Sequence, residues 1–135
     1  GISESQVAIR TGRTLDLWSE SDTIYPEAAR HSMTRGLKVN PVHTLSGPCL
    51  IESGGKRILI CSSLNETVMN ETLPDIVVLK GKYPVIDRGI NPDRMPEVVI
   101  IGSESSAKVR LTKSQRESPA ILHDTGKAGA FRRRL

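Results

Sequence analysis

The run Cys49-Leu-Ile-Glu-Ser-Gly-Gly-Lys-Arg-Ile-Leu-Ile-Cys61 decides how the centre of this chain folds. It consists of two apolar stretches on either side of Ser53-Gly54-Gly55, and glycines between two such stretches are a strong signal for a β-hairpin. We therefore predict two antiparallel strands joined by a tight turn at the glycine pair.

The length of the hairpin loop decides where the two cysteines of the chain lie. A three-residue loop at 54–56 places Cys49 directly across from Cys61, where a cross-strand disulfide is sterically possible. A two-residue loop shifts the pairing by one position and sends the two thiols to opposite faces of the hairpin. Two buried free thiols are the favoured state, and both registers stay open at this point.

Two further apolar runs follow the hairpin, Ile76–Leu79 and Val98–Ile101. Each is rich in β-branched residues and too short for a helix, which predicts buried central strands. The segment between them, Lys80–Pro96, is interrupted by glycines and prolines and is predicted to be a long irregular loop.

The last third of the chain carries one helix signal and two strand signals. Ser103–Ser118 has apolar residues one turn apart and ends directly before Pro119, so we predict a helix there. Pro119–His123 and Ala128–Arg132 are short apolar runs that are typical of strands.

The first third of the chain carries a second hairpin signal. Gln6–Arg10 and Arg13–Trp18 alternate apolar and polar residues around a turn, with Leu15 and Leu17 on one face of the second strand. Asp22–Arg35 then has alanines and a methionine at helical spacing, an early proline and a glycine just past its end. These features predict a helix with a defined start and stop.

These elements predict an α/β fold class, with one or more β-rich mixed sheets of about eight strands and two or three helices. The chain has 135 residues, the usual size of one domain, so residues 1–135 are expected to form a single soluble domain. Hydrophobic residues make up 37% and charged residues 25% of the chain, which excludes a mainly disordered protein. No apolar run approaches the roughly 18 residues that a bilayer-spanning helix needs.

The net charge of +4 is concentrated towards the carboxyl end of the chain. From Lys108 onward there are eight basic and two acidic residues, an asymmetry that can attract polyanions. A solvated basic surface is the simpler interpretation of the same pattern. Aromatic residues are only 3% of the chain, so the stacking platform typical of single-strand binding proteins is not indicated.

Motifs for catalysis and for metal binding are not found in the sequence. His31, His43 and His123 each stand alone, without a second ligand at metal-binding spacing, so no zinc or two-metal site is predicted. His43 and His123 are interpreted as hydrogen-bonded structural residues. Ser62 and Ser63 lack a G-x-S-x-G context, no phosphate-binding glycine loop is found, and no carboxylate pair suggests acid–base catalysis. We therefore expect no cofactor.

The middle of the chain resembles a specific family. Pro48–Ser63, followed by Leu73–Gly81, looks like the carboxyl-terminal domain of ComEC-type competence proteins, the inner-membrane channel family of DNA uptake. Pro96–Ser103 is similar to the next strand of that family, and Ile121–Thr125 with Gly129–Phe131 resembles its closing elements. The resemblance covers roughly residues 5–132. It implies a metallo-β-lactamase-like fold, here as a truncated sandwich.

The departures from the family pattern lie where its metal ligands would be. Cys61-Ser62-Ser63 stands in place of Gly-Asp, Lys80-Gly81-Lys82 stands in place of His-His-Gly, and the segment directly after Ser103 lacks the next family histidine. The H-x-H-x-D-H motif of the family is also absent. Metal-assisted cleavage of phosphodiesters needs such ligands to hold the ion that activates water. The resemblance therefore predicts a metal-free, non-catalytic domain, and an active nuclease is the least favoured alternative.

The resemblance also implies a cellular context. The chain would be a soluble domain of a larger inner-membrane protein, exposed to the periplasm, with the transmembrane channel portion of that protein as a partner. Gly1 in place of a starting methionine agrees with an excised piece. The hypothetical second partner is the DNA backbone, contacted weakly by five basic residues: Lys80, Lys82, Arg132, Arg133 and Arg134. The alternative function is a structural or protein-interaction module without a nucleic-acid role.

Overall fold

The computed structural model describes residues 6–19, 36–102, 109–125 and 131. These residues belong to two compact units, an amino-terminal unit within residues 4–47 and a carboxyl-terminal unit within residues 48–135. The expected single domain over residues 1–135 stays a prediction. The helix predicted over Asp22–Arg35 and, apart from Phe131, the strand predicted over Ala128–Arg132 lie outside the described residues.

The amino-terminal unit is built on the predicted hairpin. Its described residues form four strands: β1 (Val7–Thr11), β2 (Thr14–Ser19), β3 (Lys38–Val39) and β4 (His43–Thr44). β1 and β2 are antiparallel, and the two short strands β3 and β4 both pair with β2 in parallel. Leu15 and Leu17 are buried together with Leu37, which confirms the predicted apolar face of β2.

The carboxyl-terminal unit contains the predicted mixed sheet. Its described residues form seven strands: β5 (Cys49–Ser53), β6 (Lys56–Cys61), β7 (Ser63–Leu64), β8 (Ile76–Leu79), β9 (Val85–Ile86), β10 (Val98–Ile101) and β11 (Ile121–Asp124). Five of them form one sheet in the order β11-β10-β8-β6-β5, parallel throughout except for the antiparallel β5–β6 hairpin, and β7 pairs with β9 separately. The α/β class with β-rich mixed sheets is confirmed, whereas the metallo-β-lactamase-like architecture stays a prediction. The described residues contain eleven strands rather than about eight, because four of them are two-residue pairings.

The turn of the central hairpin resolves the position of the cysteines. β5 and β6 are joined by the two residues Gly54 and Gly55, both with positive φ (59° and 76°), the conformation that matches the twist of the flanking strands and that glycine adopts readily. The register pairs Cys49 with Ile60, so the alternative with a three-residue loop and facing cysteines is wrong. Both thiols are free, with Cys61 buried and Cys49 half-buried.

The first described helix, α1 (Glu66–Thr72), is not predicted from the sequence. It begins after Asn65, whose side chain accepts a hydrogen bond from the backbone N–H of Val68 at 2.8 Å. Met69 is its one buried residue, so the helix has almost no apolar periodicity to reveal it. The N-capping asparagine is therefore the main feature of the sequence that indicates this helix.

The second described helix, α2 (Lys113–Arg116), is much shorter than the predicted Ser103–Ser118. Residues 109–112 are not helical, and residues 103–108 lie outside the described part of the chain. Thr112 and Gln115 form a reciprocal capping box, in which each side chain accepts a hydrogen bond from the backbone N–H of the other. This pair starts the helix at residue 113.

The central strands of the large sheet, β6, β8 and β10, are largely buried on both faces. One face packs against α1 and the loops in a single hydrophobic core: Leu59, Cys61, Leu64, Met69, Val77, Leu79, Ile86, Ile90, Val99, Ile101 and Val109. The other face also has buried residues: Ile58, Ile60, Ile76, Val78 and Val98. Burial on both sides explains the continuous apolar runs of the parallel strands, and the two predicted central strands are confirmed.

The loop predicted over Lys80–Pro96 is mostly irregular, with β9 and one 3-10 turn at Pro92–Arg94 as its regular parts. Its middle is held by Gln115, which is buried. The Nε2 of Gln115 donates to the carbonyl oxygens of Asp87 and Ile90, at 3.0 Å each. One side-chain amide thus fixes the loop to α2.

Candidate nucleic-acid interface

The carboxyl ends of four parallel strands lie side by side at one edge of the large sheet. The last residues of β6, β8, β10 and β11 form one row: Cys61, Leu79, Ile101 and Asp124. The residues that follow them continue the same register in a second row: Ser62, Lys80, Gly102 and Thr125. The carboxyl edge of the strands is the side on which open α/β sheets generally bind ligands.

Hydrogen bonds hold the second row on the sheet. The backbone N–H of Lys80 donates to the carbonyl of Cys61, and the N–H of Gly102 donates to the carbonyl of Leu79, each at 2.9 Å. The hydroxyl of Thr125 donates to the carbonyl of Ile101 at 2.7 Å. These residues therefore have fixed positions at the strand ends.

Lys80 and Lys82, which the sequence groups together, lie in different environments. Lys80 continues the alternation of β8 on the face of Val78, and only 4% of its surface is exposed. Lys82 is exposed, and its Nζ lies 5.7 Å from the centre of the Tyr83 ring. Tyr83 is itself 66% exposed. Lys82 and Tyr83 thus present a cation and an aromatic ring to solvent just beyond the end of β8, whereas Lys80 does not.

The chain changes direction between the two lysines at Gly81. Its φ is 104°, a conformation that residues with a side chain rarely adopt. A β-carbon at this position would lie 3.7 Å from the β-carbon of Ser62, which is an ordinary contact. A substitution at Gly81 would therefore strain the backbone rather than cause a clash, and it would alter how Lys82 leaves the sheet.

Potential metal ligands do not converge within residues 6–19, 36–102, 109–125 and 131. In these ranges, no three histidine, cysteine, aspartate or glutamate side chains are grouped so that they could hold one ion. At the strand ends, burial raises the pKa of the Cys61 thiol to about 11 against a smaller opposing effect of a backbone hydrogen bond from Ser63. This disfavours the thiolate, which is the form that binds metals. The expectation of a metal-free domain stays a prediction.

The predicted set of DNA contacts is only partly described by the structure. Arg132, Arg133 and Arg134 lie outside the described residues, and their role stays a prediction. Two further exposed cations also contact neighbouring side chains. The Nη1 of Arg94 donates to Asn70 Oδ1 at 2.6 Å, and the Nζ of Lys113 lies 4.0 Å from a carboxylate oxygen of Glu117.

Tyr83 is the residue that sequence reasoning missed at this edge. The low aromatic content of the chain argued against a stacking platform, but a chain average cannot reveal one exposed ring beside one exposed lysine. The available signal was the segment Gly81-Lys82-Tyr83-Pro84, a turn-forming stretch directly after a buried strand.

A second exposed feature lies on β11, the last strand of the large sheet within the part of the chain that the structure describes. Ile121 is 57% exposed and Leu122 is 46% exposed. The residues that line a groove beside them include Met95, Leu111 and Arg116. Exposed apolar side chains beside a groove are a place where another chain can pack.

Within the described ranges, no helix combines the length and the apolar character needed to cross a membrane.

No family model matches the sequence, and no curated protein or solved structure matches it either.

Proposed function

We propose that this chain is a non-catalytic, metal-free domain of a ComEC-like DNA-uptake membrane protein that contacts the DNA backbone weakly and without sequence preference. In this proposal the domain faces the periplasm, and the transmembrane channel portion of the same protein is a second partner. Three segments that carry the resemblance, Pro48–Ser63, Leu73–Gly81 and Pro96–Ser103, supply β6, β8 and β10. These strands are neighbours in one sheet, which supports treating the segments as one structural unit.

The observation that carries the proposal is the chemistry of the strand ends. Where the resemblance calls for carboxylate and imidazole ligands, the second row has the hydroxyl of Ser62, the side chain of Lys80 and Gly102. Such groups do not form the ligand set that a catalytic divalent ion needs. Ser62 is exposed, and hydroxyl groups are among the usual donors to phosphate oxygens.

Lys82 is the described residue best suited to contact a phosphate. It is exposed, it follows directly on the strand ends, and its charge acts on any DNA sequence equally. Lys80 is buried and is not the direct contact. Arg132, Arg133 and Arg134 complete the basic set in this proposal.

Binding of a DNA duplex at low and at moderate salt tests the proposal. A gel-shift series is expected to show binding at low salt that weakens steeply between about 50 mM and about 200 mM salt, because each neutralised phosphate releases counterions. The slope of log K against log salt is about −0.9 per phosphate contact. No binding at low salt, or binding that does not depend on salt, would contradict the proposal.

The variant Lys82→Gln tests whether Lys82 makes a phosphate contact. Loss of one phosphate contact should weaken binding and reduce the salt slope by about 0.9. Lys113→Gln is the matched control, because it removes a lysine whose side chain is 84% exposed on α2 and should leave the slope unchanged. The triple change of Arg132, Arg133 and Arg134 to Gln is expected to have the larger effect. Equal effects of Lys82→Gln and Lys113→Gln would show diffuse attraction and refute the assignment to Lys82.

The non-catalytic part of the proposal is tested by incubating DNA with the protein and Mn²⁺ or Zn²⁺. We expect no hydrolysis, because the strand ends lack a ligand set for the ion that would activate water. Turnover that disappears when a chelator is added would overturn this part and establish an active nuclease.

The exposed apolar residues of β11, Ile121 and Leu122, favour a second candidate, a protein-interaction module that docks on the channel portion of the same protein. Leu122→Ser should then reduce co-purification with that portion without changing the unfolding midpoint. The control is Leu73→Asn, since Leu73 is 66% exposed elsewhere and has a left-handed backbone that asparagine tolerates. Equal co-purification of both variants would count against this function.

A further inference from the structure

One face of the amino-terminal sheet carries a polar and aromatic cluster that the proposed function does not use. Alternation along β2 puts Asp16 and Trp18 on the face opposite its buried leucines. β4 brings His43 directly beside Trp18 in the sheet. Asn40 follows β3, and its backbone N–H donates to the carbonyl of Leu15 at 3.0 Å. Segments that are distant in the sequence thus meet on one surface.

The side chains of this cluster are in direct contact. Asp16 Oδ1 accepts a hydrogen bond from Asn40 Nδ2 at 2.9 Å and lies 3.4 Å from His43 Nε2. The imidazole of His43 stacks on Trp18, with ring centres 4.7 Å apart and an interplanar angle of 12°. The side chain of His43 is 50% exposed and that of Asp16 is 25% exposed. Both the carboxylate and the ring stack are therefore accessible from solvent.

The accessible atoms of the cluster are mainly hydrogen-bond acceptors. Asp16 Oδ2 and Asn40 Oδ1 have no partner among the described residues. When His43 donates from Nε2 to Asp16, its Nδ1 is a further acceptor. A carboxylate among acceptors repels anions, so the ligand that fits here brings hydrogen-bond donors and a positive charge.

Among cationic donors, the guanidinium group of arginine matches both parts of the cluster. It is planar and stacks on aromatic faces, and its fork of N–H groups fits carboxylate oxygens. A lysine ammonium has neither the plane nor the fork, and a sugar ring lacks the charge. We propose that this face binds an arginine side chain of a partner protein, stacked on the His43–Trp18 pair and donating to Asp16 and Asn40. Arginine and tryptophan are also enriched among the residues that carry most of the binding energy of protein interfaces.

Lys38 makes the charge of the ligand testable. It is exposed and lies directly across from Thr14, one alternation step from Asp16 on the same face. Its ammonium group repels a cationic ligand and leaves a neutral ligand unaffected. Removal of Lys38 should therefore strengthen the binding of arginine.

The fluorescence of Trp18 measures binding at this face, because Trp18 is the only tryptophan of the chain. The full chain is titrated with N-acetyl-arginine amide, with the matching lysine compound and with a methyl glucoside. We expect a saturable change with the arginine compound, binding of the lysine compound that is weaker by about tenfold, and no response to the sugar. No response to arginine, equal responses to arginine and lysine, or a response to the sugar alone would overturn the proposal.

Three substitutions complete the test. Asp16→Asn keeps the shape of the side chain but removes its charge, and it should weaken arginine binding by about tenfold. Lys38→Ala should strengthen binding about twofold to threefold, an effect that misfolding cannot produce. Glu52→Gln, which neutralises an exposed carboxylate of the other unit, should change nothing. A Lys38→Ala protein with unchanged affinity would refute a cationic ligand.

Discussion

The thiol of Cys61 is removed from solvent by the core of the large sheet. Burial raises its pKa to about 11 from an ordinary value of 9.0, so the folded protein favours the neutral thiol. In the unfolded chain the thiol ionises near pH 9, and in the folded chain it ionises near pH 11. The contribution of this thiol to the free energy of unfolding is therefore fully present below pH 9. At most roughly 3 kcal/mol of that contribution is lost as the pH rises from 9 to 11.

Urea unfolding at pH 8 and at about pH 10.5 measures this loss. The wild-type protein should lose stability at the higher pH, and Cys61→Ala should lose clearly less, because it no longer has a buried thiol to ionise. Cys49→Ala is the matched control, since its thiol is only half-buried, and it should behave as the wild type. The same pH dependence in Cys61→Ala as in the wild type would contradict the assignment.

The two lysines beyond β8 show what residue identity alone could not establish. The sequence identifies Lys80 and Lys82 as basic residues after a buried strand, and it treats them as equivalent. Their exposure differs because the alternation of β8 continues through Lys80, while Gly81 turns Lys82 out of the sheet. Which face of the sheet is covered at that point depends on the packing of the whole chain, which no local pattern encodes.

At the scale of elements, α2 and the loop before β10 depend on one side chain. Gln115 is only 2% exposed, it closes the capping box with Thr112, and it donates to the carbonyls of Asp87 and Ile90. Loss of such a donor leaves two carbonyls without their partner and one helix end without its cap, so the element and the loop should loosen together.

Gln115→Ala should lower the free energy of unfolding by about 2–3 kcal/mol. Urea unfolding measures the loss, and Ser114→Ala on the exposed side of the same helix should stay within about 0.5 kcal/mol of the wild type. Gln115→Glu keeps the size of the side chain but cannot donate to the two carbonyls. We expect it to be about as destabilising as alanine, and a Glu variant of wild-type stability would show that the donation is not the cause.

The elements that could be predicted from the sequence are those that bury most of their side chains. β6, β8 and β10 are buried on both faces, so their apolar runs are visible without any knowledge of the fold. α1 buries one residue, Met69, and leaves little more than its asparagine cap as a signal. The predicted helix over Ser103–Ser118 was too long at residues 109–112, because the capping box and not the apolar spacing sets the start of α2.

At the scale of the whole molecule, the described residues of the two compact units form buried clusters of different size. In the described part of the amino-terminal unit, Leu15, Leu17 and Leu37 form one buried cluster, and Ile9 is buried as well. A small sheet generally needs to pack against further apolar surface to be stable. The expected single domain over residues 1–135 therefore predicts that the chain unfolds in one step.

Unfolding followed by two probes tests this prediction. The fluorescence of Trp18 reports on the amino-terminal unit alone, whereas far-UV circular dichroism follows all strands and helices. The two urea midpoints should coincide, as they do for a single cooperative domain. A fluorescence transition at a clearly lower urea concentration would show that the two units unfold independently and would contradict the single domain.

The sequence by itself determined both hairpins, the two central strands, the α/β class and the basic carboxyl end, because alternation, β-branched runs and turn glycines act over a few residues. The tertiary structure decided that Cys49 faces Ile60, that Lys80 is buried while Lys82 and Tyr83 are exposed, and that Asp16, Asn40, His43 and Trp18 form one cluster. These features depend on which segments meet across the sheets. These contacts between distant segments follow from the burial of apolar surface over the whole chain, and no single stretch of sequence predicts them.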